Sequence, residues 1–196
     1  MNYSDFVVFN PKAKEVANDI LCIEFWKPEF CDIITKVSDE INLYQSNPND
    51  NVPGQELRIN LISEDFYVSF CKHWKQNIQV ILNDFFMLPS DQWFVGWKMP
   101  FIIKYEMSNQ RYLRPHFDDS NVSGLIKLND NYSGGDLVFP RQKFKNTNIP
   151  IGSILVWPSG VQHIHYSDHI TSGTKYSFVA WTKNHPQQSG LNYEEI

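Results

Sequence analysis

The chain has 196 residues, 42% hydrophobic and 15% aromatic, enough to bury a core within one domain and unlike a disordered polypeptide. Its 17 Lys and Arg against 22 Asp and Glu give a formal net charge of −5 with no basic stripe, so nucleic-acid binding is not expected; no apolar run is long enough for a membrane span. The start MNYSDFVVFNPKAKEVAND lacks the basic-then-apolar build of a signal peptide, and Cys22, Cys31 and Cys71 form no CxxC pair, so reduced thiols in a cytoplasmic protein are the expectation.

In chain order, the first predicted helix is PEFCDIITKVSDEI (28–41), with Phe30, Ile33, Ile34, Val37 and Ile41 at helical spacing and Pro28 in the first turn, where no intrahelical N–H is needed. NPNDNVPGQ (47–55) reads as an exposed loop. A second helix spans 63–86, with Ser63 as N-cap, Glu64 and Asp65 at the positive end of its dipole, and Phe66, Phe70, Trp74, Ile78, Ile81 and Phe85 along one face. Beyond residue 90 the texture changes to short aromatic and β-branched runs broken by Gly, Pro, Asn and Asp: WFVGWKMPFIIKYE, SGLIKLND, GGDLVFP, GSILVWPS and KYSFVAWTK. Gly134–Gly135 reads as a tight hairpin connection, and Trp93, Trp97, Phe101, Phe139 and Trp157 as core. The expected fold is mainly β with N-terminal helices (α+β), a sandwich or barrel of jelly-roll type packed against helices. One domain is expected: a helical support region at 1–90, a β core at 91–182 and a polar, frayed tail at 183–196.

Two fragments carry the chemistry. In RPHFDDS (114–120), His116 and Asp118 stand two residues apart, so in an extended strand both side chains project to one face, roughly 6–7 Å apart along the chain. A lone His-x-Asp is most often a surface turn. Downstream, HIHYSDH (163–169) places three of the six histidines after the strand GSILVWPS, where one of them can complete the set. Two imidazoles and one carboxylate on one face leave three octahedral positions open, which suits non-haem Fe(II) rather than a closed tetrahedral zinc site. A 2-oxo dicarboxylate chelated there needs a cation at its far end, and Lys175 begins a strand ten residues past His165. Two rival readings are a zinc hydrolase built on HIHYSDH, which has one residue too many before its Asp and only His185 downstream, and a non-catalytic jelly-roll binding module.

The series HFD, LIKLNDNYSGGDLVFP and GSILVWPSGVQHIHYSDHITSGTKYSFVAW resembles the iron- and 2-oxoglutarate-dependent dioxygenases of the prolyl 4-hydroxylase type, over roughly residues 100–182. The resemblance implies a double-stranded β-helix core. It also implies Fe(II), 2-oxoglutarate as co-substrate, O2, and ascorbate as a candidate reductant. The family spacing places the distal histidine seven residues after Pro158 and eight before Gly173, which selects His165 over His163. The implied ligands are therefore His116, Asp118 and His165, with Lys175 on the distal carboxylate of 2-oxoglutarate and Tyr105 in its pocket. His163 is left adjoining the ligands or at the surface, His169 near the rim, and Trp181 packed in the barrel. The stretch YEMSNQRYLRPH departs from the family pattern, lacking its Gly and carrying two extra residues. The implied substrate is a proline in a protein or peptide, hydroxylated with succinate and CO2 as co-products. Residues 107–114 and 141–148 are the expected substrate contacts.

Overall fold

Why the chain folds as it does is clearest at Pro28–Ile41 (α1), where both boundaries follow from local chemistry. Pro28 opens the helix, and Asn42 closes it in the left-handed conformation, its N–H donating to the Ser38 carbonyl. The computed structural model describes residues 2–87, 94–95 and 98–183. Trp93, Trp97, His185 and residues 184–196, on which parts of the sequence reading fell, lie outside the described residues. Within them no helix is long and apolar enough to cross a membrane.

The second helical stretch is interrupted. Ser63 accepts a hydrogen bond from the Phe66 N–H and caps Glu64–His73 (α2); a π-helical turn follows at Trp74–Ile78, then Gln79–Phe86 (α3). In that turn the Gln79 N–H donates to the Trp74 carbonyl five residues back. The extra residue shifts the apolar stripe by one position. Phe85, expected in the buried face, is 37% exposed, while Leu82 is fully buried and Phe86 packs on the core.

The strands are Ala13–Ala17 (β1), Ile20–Glu24 (β2), Glu56–Arg58 (β3), Phe94–Val95 (β4), Phe101–Glu106 (β5), Leu113–His116 (β6), Val122–Lys127 (β7), Tyr132–Gly134 (β8), Leu137–Phe139 (β9), Phe144–Lys145 (β10), Ser153–Pro158 (β11), His165–Ser167 (β12) and Ile170–Lys183 (β13). The stretch read as a helical support region, 1–90, also supplies β1, β2 and β3. All pairings are antiparallel among the described residues. The larger sheet runs β1-β2-β11-β7-β13-β5-β3, with β4 and β8 also on β13; the smaller runs β10-β9-β12-β6.

Period-two alternation in the larger sheet separates two tasks. Ile126, Ile154, Val156, Phe178 and Ala180 face the helices, joining Trp26, Phe30, Phe70 and Trp74 in the main core. Truncating an aromatic in such a core typically costs about 3–5 kcal/mol. Gly124 in β7 lets Trp74 lie against the sheet, since a Cβ there would come within 3.2 Å of its ring. The alternate residues, Leu125, Leu155, Trp157, Phe101, Ile103 and Tyr105, belong to two separate clusters on the other face, with Phe139 of the smaller sheet in the first.

The helix layer is pinned by a buried polar chain: Trp26 Nε1 donates to the Tyr3 hydroxyl at 2.8 Å, which lies 3.0 Å from His73 Nδ1, while the His73 ring stacks 4.2 Å from Phe25. Burial pushes the His73 pKa down to about 4. Between the unfolded value near 6.5 and that folded value, the unfolded chain binds a proton that the folded chain does not. Stability contributed by neutral His73 is therefore complete above about pH 6.5 and is lost as pH falls toward 4. The urea midpoint should drop between pH 7 and pH 5, and drop less in His73→Gln. Equal pH dependence in the two proteins would remove this assignment.

Candidate metal and oxoacid site

The smaller sheet assembles the site. Antiparallel pairing of β12 with β6 sets His165 directly opposite His116, so the two imidazoles lie with ring centroids 4.4 Å apart. The chain then leaves β6 and returns Asp118 to the same side: one carboxylate oxygen, Oδ1, is 3.5 Å from His116 Nε2, and the other, Oδ2, is 3.7 Å from His165 Nε2. One donor atom from each of the three residues lies within 4.8 Å of the others.

Both rings are oriented by backbone. His116 Nδ1 lies 2.8 Å from the Arg114 carbonyl, and His165 Nδ1 lies 2.9 Å from the His163 carbonyl. A carbonyl only accepts, so Nδ1 carries the hydrogen and Nε2 of the neutral ring turns its lone pair toward Asp118. Burial alone would push the Asp118 carboxyl up, but the two imidazoles, whenever they carry the extra proton, and the Ser123 hydroxyl hold it below its usual value. Burial also pushes His165 down, against the opposing pull of Asp118. Two lone pairs and a carboxylate facing one point repel each other unless a cation lies between them. The donor set of two nitrogens and one oxygen fits a divalent transition metal with open positions.

The other histidines of HIHYSDH point elsewhere. His163 is buried with Nε2 3.4 Å from the Asn18 carbonyl, at the turn between β1 and β2; His169 is exposed and stacks on Tyr112 at 4.2 Å. The heptapeptide therefore does not gather into one cluster, as the zinc-hydrolase reading requires.

Above the three donors is a cavity of about 350 Å³, walled by Leu125, Trp157, Val179 and Trp181 and floored by Tyr105 and Ser167. Lys175 lies behind that floor, 2% exposed and opposite Tyr105 in the β13–β5 pairing. Its Nζ donates to the Gly135 carbonyl at 2.6 Å and to Ser167 Oγ at 2.5 Å, and stands 4.7 Å above the Tyr105 ring. Gly135 is required here: at φ +71° a Cβ would meet Ile170 at 2.6 Å and the Lys175 stem at 3.3 Å. No carboxylate lies within ion-pair distance of Lys175 among the described residues. Burial lowers its pKa to about 7, with Asp136 opposing. A buried ammonium satisfied only by neutral oxygens is a place for an anion.

Three features escaped the sequence reading. Ser167 follows His165 by two residues on one strand, so period two could have flagged it. Ser123 had no such signal. The loop read as merely exposed, 47–55, forms a cavity wall through Asp50, Asn51 and Val52. It is tied down by Gln110, which accepts from the Gln55 N–H at 2.8 Å and donates to the Pro53 carbonyl at 3.1 Å, and by Arg114, which donates to the Asn51 carbonyl. Of the two expected substrate segments, 107–114 contributes Leu113 to the lining and these ties, whereas 141–148 contributes no lining residue.

No family model matches the chain. In sequence it is 25% identical over 188 residues to a procollagen lysyl hydroxylase and glycosyltransferase of Acanthamoeba polyphaga mimivirus, covering 92% of this chain and 20% of that protein. It is 23% identical over 194 residues to procollagen-lysine,2-oxoglutarate 5-dioxygenase of Drosophila melanogaster, covering 92% and 26%. The chain thus spans about a fifth to a quarter of the length of these relatives. In structure it is similar to the viral collagen prolyl hydroxylase of Paramecium Bursaria Chlorella virus-1, with a TM-score of 0.61 at 13% identity, covering 87% of this chain and 99% of that one. The fold is that of the 2-oxoglutarate- and Fe(II)-dependent hydroxylases.

Proposed function

We propose that this chain is an Fe(II)- and 2-oxoglutarate-dependent dioxygenase that hydroxylates a C–H bond of a peptidyl side chain, its two sheets forming a double-stranded β-helix. The reading rests on one observation: His116, Asp118 and His165 converge beneath a cavity whose floor hides an unpaired buried ammonium. Bound iron and 2-oxoglutarate supply the oxidising chemistry, with O2 consumed, succinate and CO2 released, and one oxygen atom delivered to the substrate. The protein's part is geometric and electrostatic. His116, Asp118 and His165 would hold the metal, which as a three-ligand site would stay open to the oxoacid. Lys175, with Ser167 and Tyr105, takes the far carboxylate, its charge favoured by the anion it receives. Leu125, Trp157, Val179 and Trp181 keep water from the reacting atoms.

Between the two amino acids that the relatives' names mention, the mouth of the cavity favours lysine. Asp50, Glu56 and Asp119 line the cavity against, among the described residues, the one lysine Lys98, whose ammonium is held 3.9 Å over the Trp181 ring. A substrate ammonium gains from that surplus of carboxylates, and a proline ring does not. The sequence relatives named as lysyl hydroxylases point the same way. The test is anaerobic loading with Fe(II) and 2-oxoglutarate, then O2 and a panel of lysine- and proline-containing peptides, following succinate and the gain of one oxygen by mass. Lysine peptides should be hydroxylated. Proline peptides alone turning over would reverse the choice of substrate. Tight zinc binding with no consumption of the oxoacid would overturn the dioxygenase reading.

A further inference from the structure

The hydroxyls around Asp118 form a network that a metal-ligand inventory leaves out. Ser123 lies on β7, fully buried, paired across the larger sheet with Trp157 of β11 and Trp181 of β13. Its Oγ donates to Asp118 Oδ2 at 2.5 Å. The same Oγ lies 2.9 Å from Ser120 Oγ and 2.9 Å from Ser159 Oγ, and the last two are 2.5 Å apart. Three hydroxyls from three places in the chain, the loop after Asp118, strand β7 and the end of β11, thus close into a triangle with one corner on the carboxylate.

The protons in this triangle have little choice. An ionised carboxylate only accepts, so the Ser123 hydrogen is committed to Asp118. Ser123 can then only accept, and the two remaining hydrogens serve two of the three edges at a time: Ser120 donates to Ser159 and Ser159 to Ser123, or Ser159 to Ser120 and Ser120 to Ser123. Each bond in such a chain polarises the next. The consequence for Asp118 is directional: Oδ2 is tethered to the larger sheet, and Oδ1 is left turned to His116.

Resting on the dioxygenase reading above, we infer that Ser123, fed by Ser120 and Ser159, is the positioning residue of the metal site. It fixes which oxygen of Asp118 is offered to the ion and keeps the carboxylate from swinging to bind through both. The role is structural support of a ligand, not contact with substrate. Loss of such support typically weakens metal binding by roughly 10- to 100-fold.

The experiment is Mn(II) titration of the full chain by calorimetry, with the Co(II) absorption spectrum as a reporter of coordination and thermal melting of the metal-free protein as a control on folding. Ser123→Ala should bind Mn(II) about 10-fold more weakly or worse and show a shifted Co(II) spectrum at an unchanged melting temperature. Ser123→Thr, which keeps the hydroxyl, should recover most of the affinity. A folded Ser123→Ala with wild-type affinity and spectrum would overturn the inference. If Ser123→Ala does not fold, the doubly substituted Ser120→Ala, Ser159→Ala protein decides: it retains Ser123 but not its donors, and weakened Mn(II) binding supports the role while unaltered binding overturns it. A wild-type chain that binds no Mn(II) removes the metal-site reading itself, an outcome distinct from wild-type binding that Ser123→Ala leaves intact.

Discussion

Replacing His116, Asp118 or His165 by Ala is expected to lower 2-oxoglutarate-dependent succinate formation by more than about 100-fold, beyond the range usual for a group that merely supports a ligand. His116→Ala is the cleanest of the three. Its side chain is the least buried, 13% exposed against 5% for His165, so truncation leaves less of a void. His165 packs at 5.1 Å from Trp157 and 5.2 Å from Phe139, and its removal also perturbs the core between the sheets. His163→Ala is the matched control, because that ring faces the Asn18 carbonyl while its backbone carbonyl, which the substitution keeps, orients His165. It should retain metal binding and turnover. Full activity in His116→Ala, or a loss in His163→Ala as deep as in His165→Ala, would overturn the ligand assignment.

The second large effect is expected at Lys175. Truncation to Ala leaves the far carboxylate of the oxoacid without its cation in a buried setting, a change worth about 3 kcal/mol or more, so the apparent KM for 2-oxoglutarate should rise on the order of 100-fold while metal affinity holds. The titration of the lysine adds a sign. Burial places its folded pKa near 7, below the ordinary lysine value of 10.5, so in the absence of oxoacid the unfolded chain binds the extra proton between these values and the stability of the folded chain rises with pH across that window. Binding a carboxylate favours the ammonium, so 2-oxoglutarate affinity should fall as pH climbs above about 7, and this dependence should vanish in Lys175→Ala. An unchanged KM, or the same pH profile in the variant, would separate Lys175 from the oxoacid.

What could be read from the sequence depended on how local each cause was. The α1 boundaries follow from Pro28 and from a five-residue apolar pattern, and the structure gives Pro28–Ile41. The structure brings together His116, Asp118 and His165, two of which stand at strand spacing; the third came from a family resemblance, since three histidines in seven residues present equal local claims. The β1–β2 hairpin was missed because β1 is an edge strand whose exposed Lys14 and Glu15 break the alternation of a half-buried strand. Its one local signal was the two-residue turn Asn18–Asp19, with Asp19 at φ 58°. The shift at Phe85 could not be read at all, because a π turn changes the period without changing composition. The Ser120–Ser123–Ser159 triangle is likewise assembled only by tertiary pairing.

The loop 47–55 gives the molecule a division of labour with a bearing on how it could diversify. His116, His165 and Lys175 stand on hydrogen-bonded strands, where a one-residue slip turns a side chain to the wrong face, and Asp118 follows directly on one of them. The wall beside the cavity mouth instead comes from a segment over sixty positions upstream of His116, fastened by Gln110 and Arg114 through backbone groups that any replacement side chain would still present. Substitutions at Asp50 or Val52 can therefore reshape the cavity wall without disturbing His116, Asp118 or His165, so what the cavity accommodates can change by drift in a single surface segment.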